Sequence, residues 1–196
     1  MSLISGLDRV GKVLSNVTQS DPWRLLSQSF AESNRILLVG NGGNLAVCDH
    51  GAIDISRLTD KFASAPGSGI LASSLINDTS HDLWVKNWIK ISLRGLEESA
   101  VASTLAIGVS SSGYSKNICS GLDYAHSQGV KAFLISAVKP KILGHFAYIT
   151  LDVDEYHSAE VITLALIYQL IHESGFSCPT ISKSSSAEDC SIDYAH

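Results

Sequence analysis

Charge is scarce in this chain. Only 17% of the 196 residues are Asp, Glu, Lys or Arg, while 45% are hydrophobic. That balance excludes a self-repelling disordered polymer and describes a chain able to bury one proper core. The charge that exists leans acidic, net −5, which argues against a broad nucleic-acid-binding face but leaves room for a small anion pocket. Long hydrophobic runs are missing too. No stretch reaches the roughly 18 apolar residues of a membrane span, and the start, Met1 to Gly6, lacks the charged-then-apolar order of a secretory signal, so the chain reads as cytoplasmic. Cysteine is sparse. Cys48, Cys119, Cys178 and Cys190 form no CxxC pair, which excludes a zinc ribbon and leaves reduced thiols as the expectation.

What the chain does have is two small, polar turns, each following an apolar strand and each leading into a helical stretch. The first is Gly40-Asn41-Gly42-Gly43-Asn44 after Leu37-Leu38-Val39; the second is Ser110-Ser111-Ser112-Gly113-Tyr114-Ser115 after Ile107-Gly108-Val109. Turns of this composition present backbone N–H groups and hydroxyls, and a following helix start adds its positive dipole end. A phosphate is the group they suit. Gly113 permits a left-handed turn, and Ser110, Ser111, Ser112 and Ser115 supply hydroxyl donors. The plainer alternative is a serine-rich turn with a helix cap. Neither turn is a Walker loop or a dinucleotide fingerprint, because the required lysine and third glycine are absent.

Around these turns the pattern alternates strand and helix. Apolar positions from Leu3 to Val17 repeat with helical spacing, and Asp21-Pro22 marks the start of a second helix. Strands are expected at 36–40, 70–72, 104–109, 131–135 and 147–151, and helices at 44–57, 81–96, 115–128 and 158–173. Alternation of this kind implies a three-layer α/β/α sandwich with a central parallel sheet, ligands sitting at the carboxyl ends of its strands. The expected organisation is a helical arm over 1–34, the sandwich over 35–175 and a flexible serine-rich tail over 176–196.

Three further groups can carry chemistry. His50 and Asp54 lie one helical turn apart, so their side chains share a face; metal ligation, acid–base work and a plain surface pair are all open. His157 precedes an apolar final helix, with Glu160 three residues on. Asn77 and Asp78 precede the helix expected at 81–96, where Asp78 is either a cap or a substrate contact.

Together Gly40-Asn41-Gly42-Gly43, Asn77-Asp78, the segment Gly108 to Ser115 and Gln128-Gly129-Val130-Lys131 resemble the sugar isomerase (SIS) domain, and within it the phosphoheptose isomerase group, which converts sedoheptulose 7-phosphate to a mannoheptose phosphate. The resemblance runs from about Arg35 to Ile171. It implies a phosphorylated sugar gripped by Asn41, Gly42, Gly43, Asn44, Asn77, Asp78, Ser110, Ser111, Ser112 and Ser115, and a homotetramer or homodimer; the acidic charge and the lack of long apolar runs argue for no nucleic acid or membrane partner. It also implies zinc or another divalent metal on His50, Asp54 and His157, with Asp54 and His157 as catalytic acid–base groups. Asp54 stands where the group carries glutamate, His157 where it carries glutamine, Ala165 where it carries a second histidine, and Asn44 where it carries serine. A non-catalytic relative, binding sugar phosphates or scaffolding a replication initiator, is the alternative that such substitutions allow.

Overall fold

A computed structural model of the chain describes residues 3–180, with side chains from residue 9 onward. The part of the expected flexible tail beyond 180, including Cys190, lies outside the described residues. Five strands form one sheet: β1 (Arg35–Val39), β2 (Phe62–Ser64), β3 (Thr104–Val109), β4 (Lys131–Ser136) and β5 (Ala147–Thr150). All neighbours are parallel, in the order β2-β1-β3-β4-β5. The helices are α1 (Leu3–Thr18), α2 (Asp21–Glu32), α3 (Gly43–Leu58), α4 (Gly69–Asp78), α5 (Trp84–Ser92), α6 (Glu98–Ala102), α7 (Lys116–Ser127) and α8 (Tyr156–Glu173).

Strand pleating divides the interior in two. Ile36 and Leu38 point to one side, where they meet Phe30 of α2, Ile55 of α3 and Leu166 of α8 in one core. Leu37 and Val39 point to the other, packing with Trp88 of α5 and Leu122 of α7 in a second core. The central strands are buried on both faces, which is why they read as unbroken apolar runs. The three layers expected from the sequence are present, and the two extra N-terminal helices pack on α8. No helix among the described residues is long and apolar enough to cross a membrane.

Several elements differ from the sequence reading. The strand expected at 70–72 is part of helix α4, whose Leu71, Ala72 and Leu75 stack against the second core at helical spacing. The strand in that region is β2, only three residues long at the sheet edge with Phe62 half exposed, too short to leave an alternating pattern. Helix α5 starts at Trp84 rather than His81, and the short α6 was not expected. Ser20, rather than Asp21, caps α2: its hydroxyl accepts from the Trp23 N–H at 3.3 Å, with Asp21-Pro22 as the first helical residues. Gly129, at φ +86°, follows the Gln128 cap and closes α7.

Ile107 sits at the centre of the central strand and is fully buried. Ile107→Ala is expected to destabilise the fold by about 2–5 kcal/mol, measured by urea unfolding, and Ile107→Val by about 1 kcal/mol.

Candidate active site

The register of β1 against β3 places Val39 opposite Gly108. The turns that follow therefore leave the same edge of the sheet side by side, and side chains join them. The Asn44 amide donates to the Ser111 hydroxyl (3.0 Å), which lies 3.3 Å from the Asn44 carbonyl oxygen. Asn41 and Asn117 exchange two amide hydrogen bonds, at 3.0 and 2.8 Å. Asn44, Ser111, Ser110 and Asn117 are all buried, so these bonds satisfy polar groups that water does not reach. Asn117, in the first turn of α7, was missed from the sequence; its signal was an amide among the apolar residues of that helix.

Glycine is required where these turns tighten. A side chain on Gly40 would come within 2.7 Å of the Asn44 carbonyl carbon, a backbone atom that cannot move aside. Gly42 (φ +56°) and Gly113 (φ +60°) hold left-handed backbone, and Gly43 faces the Glu160 carboxylate of α8, a flexible side-chain end that a Cβ would push aside. Inside the serine turn the Ser110 hydroxyl donates to that of Ser115 (2.8 Å), Ser111 is buried, and the exposed Ser112 accepts from the Tyr114 N–H at 3.2 Å. The N-termini of α3 and α7 thus open at one edge, and both carry unpaired first-turn amides by helix geometry.

His50 and Asp54 lie further along α3. The Asp54 Oδ2 accepts from the Tyr168 hydroxyl of α8 at 2.6 Å and lies 3.2 Å from His50 Nε2; its Oδ1 accepts from Arg57 at 3.0 Å. His50 Nε2 is also 2.9 Å from the Tyr168 oxygen, the rings meeting edge to face. Burial acts to raise the Asp54 carboxyl, but the hydrogen bonds from Tyr168 and Arg57 and the nearby His50 and Arg57 outweigh it and hold the group below the usual carboxylate range. The same contact with Asp54, followed by burial, pushes the Tyr168 phenol up to about 12. Tyr168 was missed because α8 reads as an apolar helix.

The remaining expected residues are not gathered here. His157 lies in the first turn of α8 and is exposed; Tyr168 is eleven residues on, about 16 Å further along the helix. Asn77 and Asp78 end α4, both exposed, with Asn77 donating to Asp78 at 3.5 Å and no hydrogen bond joining them to either turn. The set His50, Asp54 and His157 expected to hold zinc or another divalent metal is thus not assembled within one chain. Among the described residues no group of three His, Cys, Asp or Glu is placed to hold a metal ion. Both Asp54 oxygens are already taken, one of them by the Arg57 cation. The residues of a single chain do not fit the metal.

No family model matches the chain. It is 30% identical over 115 residues to a phosphoheptose isomerase of Helicobacter pylori, covering 57% of this chain and 58% of that protein. The chain thus spans a little over half the length of that curated relative. Its fold superposes on a phosphoheptose isomerase of Neisseria gonorrhoeae with TM-score 0.72 at 16% identity, covering 88% of this chain and 94% of the other. It likewise superposes on the sugar isomerase domain of an RpiR transcription factor from Sphaerobacter thermophilus, TM-score 0.58 at 17% identity over 88% of each. The architecture is the sugar isomerase fold. The resemblance to the phosphoheptose isomerase group holds at the level of both sequence and fold.

Because the folded-state Asp54 carboxyl is held low, its ionised form stabilises the native state above the unfolded carboxylate pKa of about 4. Measured by urea unfolding across pH, the stability gap between the native chain and Asp54→Asn is expected to be full above that value and to close as pH falls through the lowered folded pKa.

Proposed function

We propose that this protein is an aldose–ketose isomerase of phosphorylated sugars, with sedoheptulose 7-phosphate as the substrate that its resemblance to the phosphoheptose isomerase group implies. The observation that carries the reading is the joining of the Gly40 and Ser110 turns through Asn44 and Ser111, with acid–base side chains further down α3. The turns hold the phosphate through backbone N–H groups and the hydroxyls of the serine turn. His50 lies seven residues past Gly43, so two helical turns place it on the same face about 10 Å along the axis. An extended six- or seven-carbon phosphate crosses that distance; a triose phosphate does not. The reaction moves one proton between adjacent carbons through an enediol, which the His50 cluster is chemically equipped to do.

The test is 31P and 13C NMR of sedoheptulose 7-phosphate and shorter ketose phosphates incubated with the protein. An aldose heptose 7-phosphate is expected; no aldose from any ketose phosphate overturns the reading. Ser112→Ala, removing an exposed hydroxyl of the serine turn, is expected to raise KM about tenfold with kcat kept, the weight of one hydrogen bond to a charged group.

The same reading includes self-association as a homotetramer or homodimer. Ile53 on α3 and Tyr156 and Val161 on α8 are 65%, 65% and 56% exposed, apolar area that a second copy would cover. Light scattering is expected to give twice or four times the 20.9 kDa chain mass; a monomer at micromolar concentration overturns it.

A further inference from the structure

The His50–Asp54 pair has a third and a fourth member, and their hydrogens have only one consistent arrangement. An ionised carboxylate accepts only, and a guanidinium donates only. The single Tyr168 hydroxyl hydrogen therefore goes to Asp54 Oδ2 (2.6 Å), and its oxygen lone pairs face His50 Nε2 at 2.9 Å. His50 Nε2 also lies 3.2 Å from Asp54 Oδ2. Two acceptors confront that nitrogen, so it carries the hydrogen. In a neutral imidazole the other nitrogen, Nδ1, is then the free basic atom. The His50 side chain is 56% exposed while that of Asp54 is 11% exposed, so a substrate reaches the imidazole and not the carboxylate.

Resting on the isomerase reading above, we propose that His50 Nδ1 is the atom that moves the proton, and that Tyr168 and Asp54 are positioning residues that hold the imidazole in its Nε2–H form. Asp54, which the resemblance offers together with His157 as the acid–base group, has Oδ2 occupied by Tyr168 and His50 and Oδ1 by Arg57. His50 Nδ1 takes the proton from C1 of the ketose. The C1–H electron pair becomes the C1–C2 double bond, and the carbonyl pair moves onto O2. O1 passes its proton to O2. The imidazolium returns its proton to C2 as the C1–O1 double bond forms. One hydrogen has moved from C1 to C2 and one from O1 to O2, and no oxidant or reductant is consumed.

The test combines ring nitrogen NMR of uniformly 15N-labelled protein with steady-state kinetics on the ketose phosphate. The His50 signals are those that vanish in His50→Gln. The native protein is expected to show a protonated Nε2 and an unprotonated Nδ1. Tyr168→Phe, which keeps the ring, is expected to give a mixture of tautomers and a kcat at least about tenfold lower with KM within about threefold, its fold checked by circular dichroism. His50→Gln is expected to lower kcat by about 10²–10⁴-fold, the weight of a general base. The proposal is overturned by an Nδ1–H tautomer in the native protein, by full kcat in His50→Gln, or by a Tyr168→Phe protein unchanged in both readouts. It is also overturned by activity lost on chelation and restored by zinc, since His50 would then be a ligand. A native protein inactive on every ketose phosphate overturns the isomerase reading and the proton-moving role with it; the tautomer, read on the same sample without turnover, separates that failure from failure of the Tyr168–Asp54 lock.

Discussion

The site depends on β1 and β3 being neighbours. Parallel strands in contact lie about 4.8 Å apart, and the pairing of Val39 with Gly108 brings their carboxyl ends level. Only this adjacency lets Asn44 reach Ser111 and Asn41 reach Asn117. One strand inserted between them would double the gap and break both links. Each such bond contributes only about 1 kcal/mol net, so their weight is geometric rather than energetic. They tie the first turns of α3 and α7 to the same edge of the sheet, each helix start carrying about half a positive charge.

Helix α3 connects this edge to the acid–base cluster, and its packing on α8 depends on side chains that are missing. A Cβ on Gly51 would lie 2.8 Å from the Ile167 side chain, and Gly43 closes on Glu160 in the same way. These two contacts run α3 and α8 parallel and close together. The same register delivers the Tyr168 hydroxyl to Asp54. A bulkier residue at Gly51 would press on the buried Ile167 side chain, and a 2.6 Å hydrogen bond tolerates little displacement of the helices.

What the sequence discloses follows from how local each feature is. The Gly40 and Ser110 turns and the buried strands β1, β3 and β4 are written in consecutive residues, and each appears where read. His50 and Asp54 share a helix, so their pairing needed only the helical period. Features that depend on two elements meeting were not legible. The axial offset between α3 and α8 decides whether His157 or Tyr168 stands beside Asp54, and no spacing within either helix reports that offset. β2 is three residues at an edge, where neither face demands an alternating pattern, while the apolar pairs of α4 looked like a short strand because its helical face is only half buried.

The choice of aspartate at position 54 is itself informative. Its carboxylate is one methylene shorter than that of glutamate and stays against the surface of α3, where the side chain is 11% exposed. From there it meets Arg57 one turn on and Tyr168 across the helix interface. A longer acid would carry the charge outward, toward a substrate or a metal, and away from those partners. Retraction of the carboxylate leaves the imidazole more open to a substrate than the acid, with side chains 56% and 11% exposed. The acid and the phenol opposite it thus belong together: they are hydrogen-bonded to each other and both lie against the imidazole.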